Sequence, residues 1–171
     1  MRQFLQNQKG LVQNVFNKVY DKYDLMNDFM SLGIHRLWKK DLINMMAPSK
    51  DKNLIDVACG TGDIGKLYLK KTYYQGNVFN VDPNKNMIEE GKKRFKSNKN
   101  IFWRVESAEK LNFKDNYFDY YTISFGIRNV NNIDNALKEA YRVLKPGGRF
   151  LCLEFSKVKN EILNKFYQTY S

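Results

Sequence analysis

The sequence predicts an α/β fold built on a parallel β-sheet. Three features carry that expectation. Five short apolar runs occupy residues 54–58, 78–81, 101–105, 118–123 and 150–155, segments of helical spacing alternate with them, and the turn Gly60-Thr61-Gly62 follows the first run. Strands alternating with helices form βαβ units, which join parallel neighbours.

Taken in order, Val12, Val15, Phe16, Val19, Tyr20 and Tyr23 recur every three or four residues. Ile34, Leu37, Trp38, Leu42, Met45 and Met46 repeat that spacing until Ala47-Pro48 ends it. Each set shares one face, so residues 1–50 read as two amphipathic helices. Helical spacing returns at 64–71, 84–95 and 133–144, and weakly at 107–117. Lys145-Pro146-Gly147-Gly148 reads as a tight turn delivering the fifth strand. Ile162, Leu163, Phe166, Tyr167 and Tyr170 mark a closing helix. The expected organisation is a helical lid over residues 1–50 packed, as part of one domain, on a core over residues 51–171.

A chain of 171 residues, 43% hydrophobic, buries one substantial core. No apolar run reaches the roughly 18 residues of a membrane span, and residues 1–30 lack a secretory apolar region. Cys59 and Cys152 sit in apolar or glycine-rich surroundings, unlike a disulfide framework, which points to a reducing compartment. With a single histidine, His35, no metal constellation can form. The balance of 29 Lys+Arg against 18 Asp+Glu gives +11. That charge suits an anionic membrane surface or nucleic acid. The lysines are scattered, however, and no stretch interleaves clustered basic residues with aromatics. Compositional bias is therefore the first reading, a membrane surface the second and nucleic acid the last.

The glycine turn is where chemistry enters. Asp56 precedes it, and glycine there lets the backbone turn tightly and a ligand approach closely. Gly60-Thr61-Gly62-Asp63-Ile64-Gly65 satisfies the dinucleotide pattern G-x-G-x-x-G, and Asp82 lies at the ribose-binding distance downstream. The loop alone fits either NAD or S-adenosylmethionine. Asp56 favours the latter, because an acid beneath the loop repels a pyrophosphate, whereas S-adenosylmethionine has a cationic amino group and no phosphate. Asp82, ending the second strand, can accept hydrogen bonds from both ribose hydroxyls. Cys59 reads as a small packing residue beside the ligand.

With these residues in view, the chain resembles the ubiquinone/menaquinone biosynthesis C-methyltransferases. Besides the loop, the likeness rests on Tyr23-Asp24-Leu25-Met26-Asn27-Asp28, Gly33-Ile34-His35-Arg36-Leu37-Trp38-Lys39, Ile123-Ser124-Phe125-Gly126-Ile127-Arg128-Asn129, Tyr141-Arg142-Val143-Leu144-Lys145-Pro146-Gly147-Gly148 and Leu153-Glu154-Phe155-Ser156-Lys157. The last of these looks more like the mitochondrial coenzyme Q branch than the bacterial one. The resemblance implies a class I S-adenosylmethionine-dependent methyltransferase, Rossmann-like, with five parallel strands and two lid helices. Thr61 and Asp82 would bind the cofactor, Ser107 and Ala108 flank adenine, and Ser124 line the site; Asp56, Gly60, Gly62 and Met87 complete the set. Two positions depart from the family pattern: Cys59 stands where glycine is more usual, and Ser107 replaces a more usual asparagine.

By the same resemblance the substrate is a polyprenylated methoxy-benzoquinol of ubiquinone biosynthesis, methylated on a ring carbon, with a menaquinone-pathway or other small-molecule acceptor as the alternative. The ring must be the reduced quinol, because a quinone is electrophilic. Arg128 and Asn129, after the fourth strand, would form the polar end of its pocket, with Tyr23 either touching the substrate or serving only as a hydrophobic staple. A guanidinium is always protonated and cannot serve as the base. Arg128 is therefore read as the cation that stabilises phenolate and orients a water that takes the proton. Tyr23, Asp28, His35 and Arg36 lie on the lid, with His35 a hydrogen-bonding anchor rather than a base. The expected setting is the matrix face of the mitochondrial inner membrane, peripherally attached and in a quinone-biosynthesis complex; bacterial cytoplasm is the alternative.

Two rival readings differ in class. A nucleic-acid or protein methyltransferase suits the charge, but such enzymes commonly carry Asn/Asp-Pro-Pro-aromatic where this chain has Ser124-Phe125-Gly126-Ile127. A cofactor-binding, catalytically silent scaffold subunit is the other. It draws on the expectation that antiparallel strands completing the family's sheet lie beyond residue 171. The fifth strand would then be an open edge through which a homodimer could form.

Overall fold

The computed structural model describes residues 34–96 and 98–154. The expected helix over 12–23, Tyr23, Asp28 and the closing helix over 162–170 lie outside the described residues. The elements are α1 (Ile34–Met46), β1 (Asn53–Val57), α2 (Asp63–Lys71), β2 (Asn77–Val81), α3 (Lys85–Arg94), β3 (Ile101–Arg104), β4 (Phe118–Ser124), a 3-10 turn (Ile127–Asn129), α4 (Ile133–Val143) and β5 (Leu144–Leu153).

All five strands pair in parallel, in the order β3-β2-β1-β4-β5. The chain builds outward from β1 to β3, then crosses back to place β4 on the other side of β1. That reversal opens a crevice at the carboxyl ends of β1 and β4, the usual ligand position in such sheets. Both faces are covered, which is why the central strands read as continuous apolar runs rather than alternating ones. On one face Leu42, Ile43 and Met46 of α1 and Ile64, Tyr68 and Leu69 of α2 pack on Leu54, Val78 and Tyr120. On the other, Ala136, Ala140 and Val143 of α4 pack on Ile55, Val57, Phe118, Tyr121 and Ile123.

Local chemistry sets the helix starts. Asn84 caps α3 by accepting the backbone N–H groups of Asn86 and Met87, and Asn132 caps α4 through that of Asn135. Capped helices begin one residue after the capping side chain. At its far end α4 stops at Val143, since Leu144 is extended and already pairs with Phe118.

Two expectations are corrected. Residues 107–117 form no helix. Instead, Leu111 N–H donates to Glu139 and Asn112 N–H to Glu106, while Arg142 donates to the carbonyls of Leu111 and Phe113. Side chains satisfy the backbone groups that a helix would have paired internally. The fifth strand also begins earlier than residue 150. Leu144 pairs with Phe118 and Arg149 with Tyr120, so the expected turn at 145–148 bulges out of a longer strand. Gly147 takes φ +78° there, and Lys145 anchors the bulge on both oxygens of Asp119 at 2.9 and 3.0 Å.

Candidate cofactor and substrate site

The glycine turn leaves β1 through left-handed backbone at Ala58 (φ 53°), Gly60 (φ 56°) and Gly62 (φ 89°). A Cβ on Gly62 would stand 2.6 Å from the Trp103 ring, so only glycine fits both the space and the conformation. Above Gly60 the space is open among the described residues, none of which comes within 4 Å of where a Cβ would point. That opening is a place for a ligand to approach the backbone.

Asp82 braces the turn. Its carboxylate accepts Gly60 N–H at 2.9 Å and Asn84 N–H at 2.8 Å. Burial raises its pKa despite those two bonds. A carboxylate has about four acceptor positions, so two remain for ligand hydroxyls.

Asp56 lies deeper than the sequence alone indicated. It sits within β1, 1% exposed, and its Oδ1 accepts the Thr122 hydroxyl at 2.7 Å. Its Oδ2 is shielded and has no hydrogen-bond partner among the described residues. Burial pushes its carboxyl up to about 7, against the Thr122 hydrogen bond and the charge of Lys39. Simple repulsion of a pyrophosphate is therefore weaker than for a free carboxylate. Among the described residues no donor reaches Oδ2, and a ligand ammonium could supply one where a phosphate could not.

Two cations that sequence reasoning missed reach this loop. Arg94, at the end of α3, donates to Thr61 Oγ1 at 3.0 Å. Lys39 of α1 donates to Asp63 at 2.8 Å. Burial would raise the Asp63 pKa, but the Lys39 charge and hydrogen bond outweigh it and hold the carboxyl below its usual range. The same helix sets Trp38 against Phe125, ring centres 6.4 Å apart, and buries His35. Helix α1 thus touches both the start of α2, through Lys39, and the segment after β4, through Trp38.

On the β2–β3 side, Met87 is buried in the first turn of α3 and Ala108 is buried beyond β3. Ser107 is half-buried and hydrogen-bonds to Glu109. Cys59 packs beside the loop, its thiol pushed up by burial, in keeping with an inert role. Across the crevice Ser124 ends β4 with its hydroxyl shielded and without a partner among the described residues. Gly126 then closes on Ala58: a Cβ on Gly126 would stand 2.4 Å from that of Ala58. The segment after β4 is thereby tied to the glycine turn. It carries Asn129, whose N–H donates to Gly126 O at 3.0 Å, and Arg128, 2.7 Å from Glu154. The cation expected to stabilise a phenolate is thus held in an ion pair with Glu154. The structure thus brings together Asp56, Gly60, Thr61, Gly62, Asp82 and Ser124, with Met87, Ser107 and Ala108 on one flank and Arg128 and Asn129 on the other; Tyr23 lies outside the described residues. No metal-ligating cluster occurs among the described residues.

A parallel sheet with this order, a glycine turn after β1 and an acid ending β2 define the class I S-adenosylmethionine-dependent methyltransferase fold. A solved methyltransferase of that cofactor type from Aquifex aeolicus superposes with a TM-score of 0.65 at 18% identity, over 72% of this chain and 66% of that one. The profile of the ubiE/COQ5 methyltransferase family matches residues 2–171, and the chain belongs to that family. It is 53% identical over 167 residues to the ubiquinone/menaquinone biosynthesis C-methyltransferase UbiE of Rickettsia prowazekii, covering 94% of this chain and 67% of that protein. It is 46% identical over 197 residues to the mitochondrial 2-methoxy-6-polyprenyl-1,4-benzoquinol methylase of Dictyostelium discoideum, covering 97% and 63%. The chain therefore spans about two thirds of the length of these curated relatives. Relatives are both bacterial and mitochondrial, and no helix among the described residues is long and apolar enough to cross a membrane.

Proposed function

We propose that this protein transfers the methyl group of S-adenosylmethionine to a ring carbon of a polyprenylated methoxy-benzoquinol in ubiquinone biosynthesis. The observation that carries this is the distribution of polar atoms in the crevice. Asp56 Oδ2 and Ser124 Oγ are shielded and lack partners among the described residues, Asp82 keeps two acceptor positions, and the space above Gly60 is open. These groups fit an amino acid joined to a nucleoside. Asp56 would take the ammonium, Asp82 the ribose hydroxyls, Thr61 the methionine portion, and Met87, Ser107 and Ala108 the adenine. When bound, the cofactor supplies an electrophilic methyl group on a sulfonium.

The chain's own residues supply position and charge. Arg128 and Asn129, held beside the turn by the Gly126–Ala58 contact, face the substrate end of the crevice. The Arg128 guanidinium stabilises the phenolate that makes the ring carbon nucleophilic, and α1 excludes water over the reacting centre. A polyprenyl tail keeps the substrate in a lipid bilayer, so the protein works peripherally at a membrane surface. Its net charge of +11 favours anionic lipid.

The test is incubation with methyl-labelled cofactor and short-chain methoxy-benzoquinol, in reduced and oxidised form, read by mass spectrometry. Label on a ring carbon of the reduced form alone is expected. Transfer to the quinone, to a hydroxyl oxygen or to neither form would refute the assignment. A demethylmenaquinol arm run in parallel separates the two quinone pathways.

A further inference from the structure

Arg128 and Glu154 meet at the carboxyl edge of the sheet from different elements. Arg128 belongs to the 3-10 turn after β4, and Glu154 directly follows β5. The two segments are fastened by Phe125 N–H donating to the Leu153 carbonyl at 2.7 Å, and the side chains by Arg128 Nη1 to Glu154 Oε1 at 2.7 Å. The Glu154 side chain is 19% exposed and that of Arg128 48%. Glu154 Oε2 is shielded from solvent, as is the hydroxyl of Ser124, the register partner of Leu153. An anion, a cation and a hydroxyl without a partner among the described residues therefore stand at neighbouring strand ends, on the substrate side of the cofactor turn.

We propose that Glu154 is the proton acceptor of the transfer and Arg128 its paired cation, so that the phenolate takes Glu154's place beside the guanidinium as it forms. The inference rests on the proposed quinol substrate. The quinol O–H bond breaks and its proton passes to the Glu154 carboxylate, leaving the electron pair on oxygen. That pair drives density onto the ring carbon, which bonds to the methyl group as the sulfur–methyl bond breaks and its electrons return to sulfur. The proton on that ring carbon then leaves to water, the ring regains aromaticity, and Glu154 returns its proton to the oxygen. One proton is released overall, and Arg128 faces the Glu154 carboxylate before the transfer and a phenolate on either side of methyl addition, the dienone between them being neutral. A carboxylate is a weaker base than a phenolate by roughly six pKa units, so the transfer needs both the adjacent cation and the carbon–carbon bond that draws the charge away. The guanidinium, always protonated, cannot take that role itself.

Two arms test this. In the first, turnover of the short-chain quinol is compared among wild type, Glu154→Gln and Glu154→Asp. The Gln variant should lose about 100-fold or more in kcat, with KM and S-adenosylhomocysteine affinity within about twofold, and Asp should recover part of the loss. In the second, 4-nitrocatechol, whose phenolate absorbs in the visible, is titrated into protein loaded with S-adenosylhomocysteine. Glu154→Gln removes the anion that competes with the probe for Arg128, so this variant should bind the phenolate probe about threefold or more tightly than wild type. Retention of kcat in Glu154→Gln, or probe affinity no tighter than wild type, overturns the proposal. The probe arm needs no turnover: a wild type that binds S-adenosylhomocysteine and methylates no quinol refutes the proposed function, and the probe still decides the role of the pair.

Discussion

The contact between Gly126 and Ala58 ties the substrate side of the crevice to the cofactor turn, and it can be broken and restored by moving one methyl group. A Cβ on Gly126 would lie 2.4 Å from Ala58 Cβ. Carbon atoms settle at about 3.5 Å or more, so Gly126→Ala must displace one segment by roughly 1 Å. Gly126 has φ −117°, acceptable to alanine, so the penalty is steric rather than conformational. Overpacking of this kind costs about 1–3 kcal/mol. Ala58 has φ 53°, a conformation that glycine adopts freely. Ala58→Gly therefore removes both the obstructing methyl and some backbone strain, and should be near neutral or stabilising by itself. The double variant should recover most of the stability lost by Gly126→Ala, giving a coupling of about 1–3 kcal/mol in a denaturant double-mutant cycle. S-adenosylhomocysteine affinity should fall and recover in parallel. Additive effects, or a Gly126→Ala variant as stable as wild type, would refute the proposed tie between the two segments.

Three further outcomes are expected. Burial holds the Asp56 carboxyl at about 7 in the folded protein, from a usual 3.8, so between those values the folded state keeps a proton that the unfolded state has released. Wild-type stability should therefore fall as pH rises through that window; Asp56→Asn, free of this term, should gain on wild type by an order of a few kcal/mol by neutral pH, and a pH-independent difference in chemical denaturation would contradict the buried acid. Asn80 is fully buried beneath α2 with neither amide atom hydrogen-bonded among the described residues. The near-isosteric Asn80→Leu should stabilise by about 1 kcal/mol in thermal melts, and a lowered melting temperature would show that the amide has a partner. Arg142 donates to Glu139, Asp115 and the carbonyls of Leu111 and Phe113. Arg142→Met should cost about 2–3 kcal/mol and speed hydrogen exchange across 106–116, whereas unchanged exchange there would mean that the segment is held by its core residues alone.

Much of the fold was legible because its signals are local. The period of α1, the stop at Ala47-Pro48, the helical spacing at 84–95 and 133–144 and the glycine turn all lie within a few residues of what they control. Asp82 was legible because the turn and the end of β2 are adjacent in any such sheet. What escaped was long-range. Lys39 reaches Asp63 across 24 residues, Arg94 reaches Thr61 across 33, and Arg128 meets Glu154 across 26. Nothing in sequence spacing announces such pairs, although the GxG loop could have prompted a search for cations on flanking helices. The weak helical pattern at 107–117 failed for the same reason, since Arg142 and Glu139 of α4 satisfy its backbone from outside. The bulge in β5 depends on Asp119 in the neighbouring strand, so the turn at 145–148 was readable and its continuation of the sheet was not. Asp56 could be singled out from its place before the turn, but its depth, and with it the raised pKa, is a tertiary property.

The most direct measurement is calorimetric titration of the protein with S-adenosylhomocysteine and, separately, with NAD. Saturable binding of one S-adenosylhomocysteine per chain, weakened by Asp82→Ala and unmatched by NAD, is the expected result. Binding of NAD alone would contradict the cofactor assignment, and with it the methyl transfer that depends on it.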